Sequence, residues 1–246
     1  MKIIEFFGPP CCGKTYVCNY LKKKSKSIIL SNYLIHEYAE NFIKLSYIEK
    51  ISLKYMLFVK NLKKFSKKKT KNLNSNIKKL KINKKNFNNK YSSYLFNKYL
   101  LISRKIFFLY KKKNPLLVNF ISREINQIKD KNKKLIFKRW FIELFAQFYI
   151  AKKIKSNKII LFDEGFLQRS LFLVNKNKIN KIKLVKYLNL IDKADYYIYL
   201  DKKSDILSKR SISRQKSEKN VFIYKDKKQI NKYKTIFKNI LKNMEK

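Results

Sequence analysis

Two periodicities alternate along the chain. Short apolar runs stand at Ile3–Phe7, Ser27–Leu30, Lys158–Phe162 and Tyr196–Leu200, each of a length suited to a strand. Longer stretches between them return apolar residues every three or four positions, as a helix with one buried face requires. From Lys14 a helix is predicted with Val17 and Leu21 inward and Lys22 to Lys24 near its end. Ser31 or Asn32 caps another through about Ser46, with Tyr33, Ile35, Tyr38 and Phe42 among its apolar residues. Helical pattern then runs from Ile51 to about Lys155. It comprises 51–65, 91–110, a helix opened by Pro115 at a favourable first-turn position, and 133–154. Trp140, Phe141, Phe145, Phe148 and Tyr149 form a core-facing aromatic stripe on the last of these, and His36 reads as structural. A helix ends near Ile191, another covers Ser204–Ile212, and Lys227–Glu245 is amphipathic through Ile230, Tyr233, Ile236, Phe237, Ile240 and Leu241. The pattern predicts an α/β fold with an open parallel sheet of about four strands flanked by helices. One unit spans 1–246, in which 31–155 is a large, mainly helical insertion and 156–246 completes the sheet.

Composition changes this picture only in part. The net charge is +45, but just six of the 61 basic residues are Arg. Lys, Asn, Ile, Phe and Tyr are what an A+T-rich coding sequence supplies, so the charge reflects base composition as much as selection for a polyanion. Lys is also spread along nearly the whole chain. A nucleic-acid partner is therefore the less favoured reading, with weak attraction to anionic surfaces expected at low salt. Residues 60–90 hold thirteen Lys and no acid, too polar to pack alone, and read as a basic linker or solvated helix face. Three Cys, all near the start, build no disulfide framework and fit reduced thiols in a cytoplasmic protein. No signal peptide opens the chain, and no apolar stretch reaches the length of a membrane span.

The chemistry begins directly after the first strand. Gly8-Pro9-Pro10-Cys11-Cys12-Gly13-Lys14-Thr15 fits the phosphate-binding pattern G-x-x-x-x-G-K-[ST]. Gly8 and Gly13 allow backbone conformations that a side chain forbids, so successive N–H groups can curl around a phosphate. Lys14 is placed to reach the β- and γ-phosphates and the Thr15 hydroxyl to ligand Mg²⁺. The helix that starts here turns its positive end to the anion, with Tyr16 in its first turn.

Two later stretches supply partners. Lys158–Phe162 ends in Asp163-Glu164-Gly165, and the carboxyl end of a buried parallel strand is where an open α/β sheet places ligand chemistry. Asp163 is the candidate metal acid, and Glu164 could polarise a nucleophile or belong to an acceptor site. Arg210 and Arg214 lie four residues apart after the last apolar run. Arg gives phosphate a fixed-charge, two-pronged donor, whereas Lys is a point charge.

With these residues the chain resembles the phosphate-loop (P-loop) NTPase superfamily, in its nucleoside- and nucleotide-kinase-like (thymidylate-kinase-like) branch. Gly8 to Thr15 matches the Walker A motif. Phe162-Asp163-Glu164-Gly165 is similar to the acid-bearing strand end, and Tyr196–Leu200 followed by Arg210 and Arg214 to the strand and lid-type helix. The resemblance covers roughly residues 1–35 and 155–216. Gly165 stands where an Arg is expected directly after the acid, which leaves Arg169 as the candidate acceptor ligand. The resemblance implies transfer of the γ-phosphoryl group of ATP, with Mg²⁺, to a small acceptor such as a nucleoside, nucleotide or sugar. Nucleotide would be held by Gly8, Pro9, Pro10, Cys11, Cys12, Gly13, Lys14, Thr15 and Tyr16. Metal would fall to Thr15 and Asp163, and charge stabilisation to Lys14, Asp163, Glu164, Arg210 and Arg214. The alternatives are an ATPase acting beside nucleic acid and a nucleotide-binding module without turnover. Asn175-Lys176-Asn177-Lys178 lacks the Asp of a guanine-reading motif.

Overall fold

A computed structural model describes residues 1–57, 89–175, 178–215 and 227–244. Strand β1 (Lys2–Phe7) leads through the loop 8–13 into helix α1 (Lys14–Lys24), and β2 (Ile28–Leu30) follows. Helix α2 (Leu34–Tyr38) and helical turns at 47–57 (α3) come next. The chain then forms α4 (Asn89–Lys113), α5 (Pro115–Asn126) and α6 (Lys131–Lys153). Strand β3 (Ile159–Phe162) precedes a short helix α7 (Phe166–Arg169) and a small hairpin, β4 (Val174–Asn175) with β5 (Lys178–Ile179). Helix α8 (Lys181–Leu190), β6 (Tyr196–Tyr199), α9 (Ser204–Gln215) and α10 (Lys227–Met244) complete the order.

The four apolar runs form one all-parallel sheet in the order β2-β3-β1-β6. Alternation along each strand sorts side chains to two faces. Ile3, Phe7, Ile29, Ile160 and Phe162 enter a large core with α4, α5 and α6. Phe6, Ile28, Leu30 and Leu161 meet Cys18, Val17 and Leu21 of α1 on the other face. The aromatic stripe of α6 faces the large core, where Phe148 lies 4.3 Å from Phe162 and 4.4 Å from Phe166 between ring centroids.

Several boundaries differ from the periodicity. The helix expected from 31 to 46 is broken: 3₁₀ turns at Ser31–Tyr33 and Ala39–Asn41 flank the five-residue α2. It stops where Phe42 turns onto Tyr149, 5.7 Å away. The last sheet strand, β6, lies at an edge, and Tyr196 and Ile198 are exposed. His36 is structural as expected, stacking on Tyr99 at 5.0 Å while Nδ1 donates to the Leu53 carbonyl. Most of the basic stretch 60–90 lies outside the described residues. No described helix is long and apolar enough to cross a membrane.

Candidate functional site

Because β1 is an inner strand with partners on both sides, the loop that leaves its carboxyl end emerges between β3 and β6. Both glycines of the loop take positive φ, +140° at Gly8 and +105° at Gly13. Gly8 is also a point of contact: a Cβ there would overlap the carbonyl oxygen of Leu200, whose N–H donates to Phe7 O at 2.9 Å. The loop entrance is therefore set by the end of β6. Cys11 has φ +65°, the only described non-glycine residue in the left-handed region, and Cys12 N–H donates back to Pro9 O at 3.3 Å. Pro9 is buried and Pro10 half-buried.

Helix α1 begins at Lys14 with no acid in its first turn and three Lys in its last. The charged side chains complement the helix dipole at its carboxyl end and leave the first-turn N–H groups without an internal carboxylate. The Lys14 ammonium is buried and folds along the loop, donating to Gly8 O at 3.1 Å, Pro9 O at 3.3 Å and Cys12 Sγ at 3.6 Å. Thr15 is exposed at the rim, as is Tyr16 at 76%.

Asp163 follows β3 directly, and the β1–β3 register carries it to the loop's far end. There the Thr15 hydroxyl donates to Asp163 Oδ2 at 2.7 Å. Burial, and next the charge of Glu164, raise the pKa of Asp163 above the usual carboxylate value. The Thr15 hydrogen bond, Arg169 and Lys14 pull the other way. A water-sized cavity borders this pair between Asn19, Asn32 and Leu161. Two hard oxygens side by side, with space for a further oxygen ligand, suit Mg²⁺, which takes one or two protein ligands and completes its shell with water and phosphate. No cluster of three or more His, Cys, Asp or Glu forms a metal cage among the described residues.

Helix α9 is held against the loop by a small apolar contact of Cys12 with Leu207 and Ile230. Three residues after Leu207, on the same face of the helix, Arg210 reaches back so that Nη1 donates to Cys11 O at 3.4 Å. Arg214 lies on the same helix, its side chain outside the described part. Glu164 and Arg169 meet each other: Arg169 Nη2 lies 2.6 Å from Glu164 Oε2. The Arg169 guanidinium also sits 4.1 Å from the centroid of the Trp140 ring, and its Nε is buried with no hydrogen-bond partner among the described residues. Lys14, Thr15, Asp163 and Arg210 thus all touch the loop. Glu164 and Arg169 stand just beyond Asp163 as a pair.

Sequence reasoning missed two residues. Glu5 is fully buried in β1 on the face of Ile3 and Phe7, and its Oε1 accepts the Gln168 N–H at 3.0 Å. Burial pushes its pKa up to about 8, against the opposing pull of N–H groups at 166–168 and the charge of Arg169. Gln168, also buried, offers Oε1 to the Gly8 N–H at 3.0 Å. A single acid inside an apolar strand was a visible signal for Glu5; nothing in the sequence marked Gln168. The chain matches no family model, and no curated protein or solved structure is similar enough to it to count as a match.

Proposed function

We propose that this chain is a P-loop kinase that transfers the γ-phosphoryl group of Mg·ATP to a small-molecule acceptor of nucleoside, nucleotide or sugar type. The observation that carries the reading is the 2.7 Å contact of Thr15 with Asp163 at one end of a loop whose lysine lies inside it. A glycine-bounded loop, a lysine, a hydroxyl and a strand-end acid are the parts that phosphoryl transfer needs for positioning and charge.

In this reading the loop amides and the first turn of α1 hold the β- and γ-phosphates. The Lys14 ammonium exchanges the carbonyls of Gly8 and Pro9 for phosphate oxygens. Thr15 and Asp163 hold Mg²⁺, which supplies positive charge against the phosphate oxygens when bound. Arg210, and Arg214 with it, supply guanidinium charge from α9 as negative charge shifts in the transition state. Glu164 orients the acceptor hydroxyl or phosphate, and its partner Arg169 lies where an anionic acceptor would be drawn. A cytoplasmic location, with reduced cysteines in the loop, belongs to the same reading.

The test is a thermal-shift and phosphoryl-transfer screen with Mg·ATP against candidate acceptors, run on the parent chain and on Lys14→Ala. A ligand at 100 times its dissociation constant adds about 2.7 kcal/mol of apparent stability. Loss of Lys14 is expected to remove about 2–4 kcal/mol of transition-state stabilisation. Equal Mg·ATP binding and equal transfer in Lys14→Ala would overturn the assignment. Hydrolysis stimulated by nucleic acid, with a steep salt dependence and no transfer to any acceptor, would point instead to an ATPase.

A further inference from the structure

The loop Gly8–Thr15 is gripped at both ends by one short segment of chain. At its start, the Gly8 N–H donates to Gln168 Oε1 at 3.0 Å. At its end, the Thr15 hydroxyl donates to Asp163 Oδ2 at 2.7 Å. Only four residues separate Asp163 from Gln168, and they are themselves held in place. Gly165 packs against Glu5, the Gln168 N–H donates to Glu5 Oε1, and Tyr187 Oη donates to Phe166 O at 2.8 Å. Glu5, Gln168 and Tyr187 are all buried.

We propose that Gln168 is a positioning residue: through the Gly8 amide it clasps the phosphate loop to the segment that carries Asp163, fixing the span of the loop before nucleotide binds. The inference rests on the reading of the loop as a nucleotide site. The physical reason is the orientation of the Gly8 peptide. The Phe7–Gly8 peptide is held on both sides, its N–H by Gln168 and its Phe7 carbonyl by the Leu200 N–H. The Gly8 Cα abuts Leu200 O, while the Gly8 carbonyl, in the next peptide, accepts from Lys14. When Lys14 turns to a phosphate, the Gly8–Pro9 peptide loses that donor, and Gln168 and the Leu200 contacts on the preceding peptide are what still fix the backbone at Gly8. A buried N–H without an acceptor would instead drive the peptide to rotate toward another partner. Rotation there re-aims the amides that follow, and misaligned donors lose much of their value to an anion.

The chain has three glycines, Gly8, Gly13 and Gly165, each preceded by a different residue type, Phe, Cys and Glu. Labelling with ¹⁵N-glycine therefore yields three assignable amide signals, one at each end of the loop and one in the clasp. In the parent protein the Gly8 amide is expected to be protected from hydrogen exchange. Addition of Mg·ATP should shift Gly13 strongly and leave Gly8 protected. In Gln168→Met, similar in length but without the acceptor oxygen, Gly8 protection should be lost. Mg·ATP affinity by calorimetry should fall by about tenfold, the scale of one unpaired buried donor. The Gly165 signal should stay in place, showing that the segment is still folded.

Gly8 exchanging at the free-chain rate in the parent would overturn the clasp, whether or not the variant folds. So would unchanged affinity in Gln168→Met, or loss of affinity accompanied by displacement of Gly165, which reports collapse of the segment. If Mg·ATP leaves the parent's Gly13 signal and thermal stability unmoved, it is the nucleotide-site reading that fails, and the parent's Gly8 protection still decides whether the hydrogen bond exists.

Discussion

Gly165 sets its bare Cα against the side chain of Glu5, so closely that a Cβ would overlap the carboxylate and stand 2.9 Å from Cγ. Glu5 lies in the middle of β1 and Gly165 two residues beyond Asp163, so this contact fixes where the acid segment sits on the central strand. Gly165→Ala is expected to destabilise the fold by about 1–3 kcal/mol through overpacking at a buried carboxyl group. Urea unfolding measures it. A change below about 0.5 kcal/mol would mean that the two residues are not in contact.

Glu5 also gives the protein a specific pH dependence. Its pKa in the folded chain is about 8, against an ordinary value of 4.5 that the unfolded chain restores. Between those values the unfolded chain has released the proton while the folded chain still holds it. Stability from this group is complete below 4.5 and falls as pH rises, at a slope approaching about 1.4 kcal/mol per pH unit, until the folded carboxyl ionises near 8. Glu5→Gln should remove that slope, so the stability of the variant relative to the parent rises across the window. Denaturant titrations of both proteins between pH 5 and 9 check it, with parallel pH curves as the contrary result.

The two glycines of the loop are expected to differ. Gly8→Ala meets both a positive φ and overlap with the Leu200 backbone, which cannot move without parting β6 from β1. Gly13→Ala meets the strained φ alone, since a Cβ there would come no nearer than 3.9 Å to Arg210 Nη1. Backbone strain of this kind costs about 1–3 kcal/mol. Gly13→Ala should fall within that range and Gly8→Ala above it in thermal or urea unfolding. The reverse order would contradict the placement of β6 against the loop entrance.

Arg210 separates stability from chemistry. The side chain is exposed and, among the described residues, its hydrogen bond is the long one to Cys11 O, so Arg210→Ala should leave stability within about 0.5 kcal/mol. Phosphoryl transfer, where an acceptor is found, should fall on the order of a hundredfold, with little change in the KM for ATP, because the charge acts on the transition state. Arg210→Lys should restore only part of the rate, since a point charge lacks the planar fork. A loss confined to KM would assign Arg210 to ground-state binding.

Much of this arrangement was written in local sequence. Gly8, Gly13, Lys14 and Thr15 lie within eight residues of one another, so short-range backbone preference is enough to indicate the loop and the helix that follows. The four apolar runs announced the strands, and Asp163 announced itself by ending one of them. The helix predicted through Ser46 failed because Phe42 leaves the helical path to meet Tyr149, a contact 107 residues away along the chain. The small β4–β5 hairpin gave no signal in its Lys- and Asn-rich surroundings.

By itself, then, the sequence determined the four sheet strands and most of the long helices, where the glycine-bounded loop lies, and which acids and guanidinium groups are available to it. Tertiary structure alone decided that β1 runs between β3 and β6, and with it that Asp163 meets Thr15, that Gln168 meets Gly8, and that Leu207 brings Arg210 onto Cys11. The reason is physical. A strand or a loop forms from preferences that act over a few residues, whereas strand order and register follow from how whole apolar faces are buried together, and no short stretch of chain carries that information.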